Sequence, residues 1–518
     1  FLQAGGHSLA SMRLAKELGI SPADVFAFPT VAAMASRLAR EKAPTNGVNG
    51  VNGASMNGHR HTDGTNGING KSGLNGTNGI NGIARAANGA DTNVAKHGPS
   101  LHPSAEIAVV GMSARFPGAP SVAAFWEALE AGRDLISDLP AGPDFVPRKG
   151  TVPDLGMDCA FWGLPKEVAA GMDTASRTLL ELSYEALEDA GFDPYKVPGS
   201  VGVVVCGGSL PHYGPAVLGV DMEEARVQRP DEYFALEIGT DKDYLATQIS
   251  FRLDLHGPSE VVQTACSSGL VAIVRAVQML RLGLCDFVVC GGASFSPDEA
   301  VRKVDGMIWS EDGICRPYAE GANGTVNSDG AGLLVLTRLS TATEKGLRVY
   351  ATVRGVATNN DGARKAGYSA PSFEGQVEVI RTALADAGLS GHDVDYVEGH
   401  GTGTRLGDPL EVQALAEALG AEREVALGSV KGNIGHTNTV AGVSGFMKAA
   451  LMLFHQRKVP SLYARRPSKI IPWEATRFRL VEEAGDWRGA VAAVSSLGIG
   501  GTNAHCVLGA PPTFGAPG

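Results

Sequence analysis

Three side chains in this sequence have types and settings suited to acyl chemistry. Cys266 lies in Q-T-A-C-S-S-G-L, His400 in G-H-G-T-G-T and His436 in G-N-I-G-H-T. A short apolar stretch (Val261, Val262) runs into the cysteine, and a helical pattern (Leu270, Val274, Val277, Leu280) follows it. A cysteine between a strand and the first turn of a helix sits near unpaired backbone N–H groups and the positive end of the helix dipole. Both favour thiolate, the nucleophilic form. Small neighbours on either side leave room for a carbonyl substrate.

The elements that must position these groups share one build. Residues 395–398 (D-Y-V-E) read as a strand, followed by the loop G-H-G-T-G-T-R-L-G-D-P and a helix from Pro409 through Leu419. Asp408 suits the N-cap and Pro409 the first helical position. The next unit repeats the pattern with strand V-A-L-G-S-V, loop K-G-N-I-G-H-T-N-T and helix A-G-V-S-G-F-M-K-A-A-L-M-L-F. A fourth loop, L-G-I-G-G-T-N, joins strands A-V-S-S and A-H-C-V-L. In α/β proteins ligands bind beyond the carboxyl ends of strands, and glycines there let backbone approach a substrate. One cysteine and two histidines on such loops make a nucleophile with candidate acid–base and oxyanion partners.

Residues 105–510 resemble the β-ketoacyl synthase (ketosynthase) family of modular polyketide synthases. The ordered motifs include A-E-I-A-V-V-G-M-S-A-R-F-P-G, T-A-C-S-S-G-L, N-N-D-G-A-R-K-A-G-Y-S-A-P-S, V-E-G-H-G-T-G-T-R-L-G-D-P, V-K-G-N-I-G-H-T and S-S-L-G-I-G-G-T-N-A-H. Gln263, where many members have aspartate, is similar to ketosynthases that follow peptide-synthetase modules. The resemblance implies an α/β, thiolase-like fold of two similar βαβ-rich halves, about 105–345 and 346–512, paired as a homodimer. It implies that Cys266 accepts an acyl group from a carrier thioester, with the backbone N–H groups of Cys266 and Ile499 as oxyanion hole. His400 and His436 would promote decarboxylation of a malonyl thioester, supported by Lys431. Thr402 and Thr404 match threonines that contact the pantetheine arm.

Residues 1–42, with G-G-H-S-L and F-P-T-V-A-A, resemble the C-terminal part of an all-α peptidyl or acyl carrier domain, in which Ser8 would carry 4'-phosphopantetheine. Residues 43–104 hold ten Asn-Gly dipeptides without flanking alternating strands, so a disordered tether is expected. Some sixty residues of such chain span roughly 40–45 Å r.m.s.. Across 518 residues the net charge of −11 argues against a nucleic-acid partner. Seven cysteines lack C-x-x-C pairing, which points to a reduced, cytoplasmic compartment and away from structural zinc. No apolar run is long enough to span a bilayer.

Several positions depart from the family pattern: Leu497 for phenylalanine, Asp329 for glutamate, D-T-A-S at 173–176, and glycines at 399 and 432. The chain opens in mid-motif at Phe1, so upstream peptide-synthetase domains are expected in a longer parent. With Gly518 taken as a natural end, the expected order is peptide carrier, tether and a terminal ketosynthase without a following acyltransferase. That order is similar to hybrid peptide–polyketide synthetases whose terminal ketosynthase acts on a β-ketoacyl-aminoacyl thioester, closing a tetramic acid ring by Dieckmann-type cyclisation. Decarboxylative Claisen extension with malonyl-carrier is the alternative. A non-catalytic gate or scaffold is a remoter one, because Cys266, His400 and His436 are all present.

Overall fold

The computed structural model describes residues 105–208, 219–296, 300–304, 306–420 and 423–512. The expected carrier part with Ser8 and the Asn-Gly tether lie outside them. Eleven strands form one sheet. In chain order they are β1 (Ile107–Arg115), β2 (Val201–Gly208), β3 (Ser259–Val261), β4 (Phe287–Ser294), β5 (Gly330–Arg338), β6 (Ala351–Asn360), β7 (Tyr396–Glu398), β8 (Val425–Gly428), β9 (Phe478–Leu480), β10 (Val491–Leu497) and β11 (Thr502–Gly509).

The spatial order β9-β8-β7-β10-β11-β6-β1-β5-β4-β2-β3 contains a repeat. Starting from β1 and going outward, the first half runs β1-β5-β4-β2-β3. From β6 the second runs β6-β11-β10-β7-β8, which is the same plan, with β9 added at the edge. The pairings repeat too. Two antiparallel contacts precede two parallel ones in each half. β1 and β6 join the halves antiparallel, with Ile107 opposite Val353.

Strands that are apolar on both faces need cover on both. Ile107 and Val109 enter a central apolar layer, while Ala108 and Val110 enter an outer one against helix α1 (Thr174–Asp189). A bulge between Val109 and Gly111 resets the alternation, so that Met112 and Ala114 also face the centre. The second half has its own outer layer, formed with helices α3 (Phe373–Ala387) and α4 (Gly407–Leu419). Two helices fill the centre: α2 (Ser268–Arg281), after β3, and α5 (Ala441–His455), after β8. Every residue of α5 from Ala441 to Leu453 is buried.

α2 and α5 occupy equivalent places in the repeat and touch at their first turns. Glycine is required at the contact: a Cβ on Gly442 would lie 2.6 Å from Leu270 Cβ, and one on Gly269 2.7 Å from Val443 Cγ2. Each glycine is the second residue of its helix. The contact therefore brings together the loops that precede both helices, which carry Cys266 and His436. Among the described residues no helix is long and apolar enough to cross a membrane.

Candidate active site

Cys266 follows β3 in a short 3₁₀ turn, Ala265–Ser267, directly before α2. Ala265 has φ +57°, a left-handed conformation that disfavours a side chain and marks stored strain before the nucleophile. The serines after Cys266 stitch this turn. Ser268 Oγ accepts the Thr264 N–H at 2.8 Å and donates to Ala265 O at 2.7 Å, while Ser267 Oγ donates to Thr264 O at 2.9 Å. From the fourth loop's strand, β10, Ser496 Oγ donates to Cys266 O at 2.9 Å. The sulfur faces two backbone N–H groups, those of Cys266 and Ile499.

Burial pushes the Cys266 thiol above its ordinary value, outweighing the Lys431 charge and the two N–H groups, which pull it down. The expected bias toward thiolate is thus reversed in the resting site. Desolvation of the charged form exceeds what the helix start supplies.

His400 lies two residues beyond β7. Glu411 of α4 fixes its backbone, accepting the His400 N–H at 2.6 Å and the Gly401 N–H at 2.9 Å. The Tyr318 hydroxyl donates to the same carboxylate at 2.8 Å. Gly399 has to be glycine here, since a Cβ would fall 1.9 Å from Tyr318 Oη. His436 is pinned by its N–H to Val326 O at 2.7 Å. The two rings stand 5.5 Å apart, nearly perpendicular at 85°.

Backbone contacts decide which ring nitrogen carries the proton. His436 Nδ1 accepts the Asn438 N–H at 3.2 Å, and His400 Nδ1 faces the Leu497 N–H at 3.4 Å. A neutral imidazole that accepts at Nδ1 bears its hydrogen on Nε2. Burial, then the Lys431 charge, holds His436 down to about 3 and His400 well below the histidine range. Both rings are therefore neutral at pH 7 and present an Nε2–H donor. Lys431 is buried and donates to His400 O, and burial lowers its own pKa against the raising charges of Glu398 and Glu411.

Asp408 is not the N-cap of α4, which begins at Gly407 after Leu406. It sits in the first turn and reaches back, accepting from Tyr318 N at 2.7 Å, Gly403 N at 3.1 Å and Thr404 N at 3.3 Å. Without a neutralising cation in contact, burial raises it to about 7. Thr402 and Thr404 line the same loop with Oγ1 atoms 3.1 Å apart.

Sequence reasoning missed four supporting residues: Glu398, Glu411, Tyr318 and Lys448. Glu398 accepts the Val430 N–H at 2.6 Å and pairs with Lys448 Nζ at 2.8 Å, where both side chains are at most 1 % exposed. The pattern departures have local partners. Asp329 pairs with Lys149 at 2.9 Å, and Asp173 caps α1 by accepting the Ser176 N–H at 2.6 Å. Among the described residues no group of three or more His, Cys, Asp or Glu is arranged to hold a metal ion.

Comparison with known proteins matches residues 104–342 to the family "Beta-ketoacyl synthase, N-terminal domain", 350–464 to its C-terminal domain and 467–516 to the "Ketoacyl-synthetase C-terminal extension". Erythronolide synthase EryA3 of Saccharopolyspora erythraea is 41 % identical over 79 % of this chain, which spans 13 % of that protein. Mycoketide-CoA synthase of Mycobacterium tuberculosis is 40 % identical over 80 %, with 10 % of its length spanned. The chain thus covers well under two thirds of these relatives. Among solved structures, the ketosynthase from module 1 of the bacillaene synthase of Bacillus amyloliquefaciens superposes with TM-score 0.73 at 34 % identity, over 80 % of this chain and 77 % of that one. Ketosynthase twelve of a Bacillus amyloliquefaciens bacillaene synthase gives TM-score 0.74 at 30 % identity, over 79 % and 76 %. The fold is the thiolase-like arrangement expected from the sequence.

Proposed function

This chain belongs to the β-ketoacyl synthase family of modular polyketide synthases, and on that premise we propose that it extends a Cys266-bound acyl group by decarboxylative condensation with a malonyl thioester. Cys266 attacks the carbonyl of a carrier thioester. The acyl–sulfur bond to the carrier breaks, a new one to Cys266 forms, and the thiol proton leaves with the carrier thiol. Charge on the tetrahedral oxygen meets the N–H groups of Cys266 and Ile499. Loss of CO₂ from the malonyl thioester then leaves an enolate, whose oxygen the Nε2–H groups of His400 and His436 stabilise. The enolate carbon attacks the Cys266 thioester and expels its sulfur.

The observation that carries this reading is that a backbone N–H faces Nδ1 of both histidines, which assigns both the Nε2–H tautomer. Decarboxylation needs two donors and no base, and the Leu497 and Asn438 amides leave two donors. Dieckmann-type cyclisation, which the sequence favours, needs a lone pair to deprotonate the acidic carbon. At His400 that requires Nδ1–H to face the Leu497 N–H. The cyclising reading keeps the support of Gln263 and of the carrier-like segment, an order resembling tenuazonic acid synthetase. In either reading we take the substrates to be carrier-bound thioesters, with Ser8 as phosphopantetheine attachment site, upstream peptide-synthetase domains in the parent chain, a homodimer and a cytoplasmic setting. The pantetheine roles of Thr402 and Thr404 belong to the same proposal.

His436→Ala separates the steps. Loading of Cys266 by an acyl thioester is expected to persist, while condensation falls by about 10²–10³-fold, both followed by mass spectrometry. Equal loss in both steps contradicts the assignment. The pH profile gives a second check. Protonation would set Nδ1–H against the Asn438 or Leu497 N–H and turn the ring from the enolate, so an ordinary imidazole would impose an acid limb at pH ~6.5. With both pKa values depressed the rings stay neutral below that, so single-turnover condensation should run flat through it and decline only toward the value of about 3 at His436. A limb near neutrality that persists in Asp408→Asn, which removes the group raised to about 7, contradicts the buried neutral pair.

A further inference from the structure

Beside the Ile499 loop runs the connection between β6 and α3, residues 361–372. Residues 362–364 and 366–369 are exposed, but Lys365 turns inward. Its Nζ is buried and has no hydrogen-bond partner among the described residues. A Cβ on Gly501 would lie 2.8 Å from Lys365 Nζ, and one on Gly500 would lie 3.3 Å from Tyr368 Oη. Lys365 Nζ stands 5.3 Å from the centroid of the Tyr368 ring, a weak cation–π contact.

Asp361 stands nearby without an ion pair to it: its Oδ2 lies 3.2 Å from the same Gly501 Cβ position, and its Oδ1 accepts from Asn503 Nδ2 at 2.6 Å. Arg364, the neighbouring cation, is paired with Glu378 at 2.9 Å. A buried ammonium without an acceptor is unfavourable until an anion arrives. Ile499, whose N–H faces the Cys266 sulfur, is two residues from Gly501, so at most about 7.6 Å separates their Cα atoms. The buried charge thus lies beside the oxyanion loop, within a stretch of chain, 362–369, that is otherwise exposed.

Building on the proposed acyl transfer at Cys266, we propose that Lys365 and Tyr368 form a binding site for an anionic oxygen group on the incoming thioester. The group is either the phosphate of a carrier's phosphopantetheine arm or a carboxylate of the acyl unit. Lys365 supplies the charge, and the exposed Tyr368 hydroxyl supplies a second donor.

The test compares acetyl-pantetheine, acetyl-4'-phosphopantetheine and succinyl-pantetheine as donors to Cys266, with loading read by intact-protein mass spectrometry. An anionic donor should load with KM about tenfold below acetyl-pantetheine, the scale of one charged hydrogen bond. Lys365→Gln should erase that difference and Lys365→Arg should keep it. A difference that follows the phosphate assigns the carrier arm, and one that follows succinate assigns the acyl unit. KM values indifferent to Lys365→Gln overturn the site. A second readout does not depend on the acyl transfer. In the Cys266→Ala chain, free 4'-phosphopantetheine or succinyl-pantetheine should raise Tm and pantetheine should not, and Lys365→Gln should abolish the rise. No rise with either anion overturns the proposal, whereas a rise without loading of the wild-type chain would strike the reaction and spare the site.

Discussion

Cys266→Ala abolishes covalent loading of the chain by an acyl thioester and lowers turnover by about 10⁴-fold or more. The other described cysteines are Cys159, which is half-buried, and five buried ones: Cys206, Cys285, Cys290, Cys315 and Cys506. Cys206 and Cys315 are fully buried, with thiols pushed up to about 12 by desolvation, and Cys290 and Cys506 are driven higher still. None of them combines a strained turn at a helix start with the amide of a second loop. Cys266 does, through Ala265 at φ +57° and the Ile499 N–H. Intact-protein mass spectrometry after incubation with acetyl-pantetheine reads the result directly. Residual acylation of the variant above the level of a denatured control would remove Cys266 as the acceptor.

Lys448→Met should destabilise the fold by about 3–5 kcal/mol, the usual cost of leaving one member of a buried ion pair alone. Lys448 lies in the buried part of α5, 2.8 Å from Glu398. Glu398 also holds the Val430 N–H at 2.6 Å and the Tyr396 hydroxyl. Removing the lysine leaves the buried carboxylate without its ion-pair partner. Its other partners lie on β7 and on the loop that leads into Lys431, so turnover should fall with stability. The double variant Lys448→Met/Glu398→Gln removes both charges and keeps an acceptor for Val430. Its loss should be clearly smaller than the sum of the single losses. Urea unfolding measures all three, and strict additivity would mean that the two charges do not interact.

The parts of the site carried by glycine-punctuated loops were legible in the sequence. The strand–loop–helix units around His400 and His436 are visible because short apolar strands end in glycine runs, and helix α5 begins at Ala441 as its pattern indicates. The supporting carboxylates were not legible. Glu398 reads as the last residue of a strand and Glu411 as an ordinary helix glutamate, because their partners are remote along the chain. Glu411 reaches His400 from 11 residues away, and Glu398 reaches Val430 from 32. Lys448 did leave a signal. It is the one charge in A-G-V-S-G-F-M-K-A-A-L-M-L-F, a helix apolar on all sides. Such a helix is buried, and a charge on it must be paired. Ala265 left none, since only glycine advertises a positive φ. The thiolate expectation failed for a related reason. The dipole of a helix start can be read from sequence, whereas the depth of burial that opposes it cannot.

The claim that this site makes a carbon–carbon bond by decarboxylation has one direct test. The full chain is given acetyl-pantetheine with malonyl-carrier in one reaction, and a β-ketoacyl-aminoacyl pantetheine thioester without malonyl in another, with products identified by mass spectrometry. The neutral donor pair of His400 and His436 predicts a thioester two carbons longer in the first reaction, with one CO₂ released per turnover, and no ring in the second. A tetramic acid formed without malonyl, alongside no extension product, would contradict it and return Cys266 to the cyclising role.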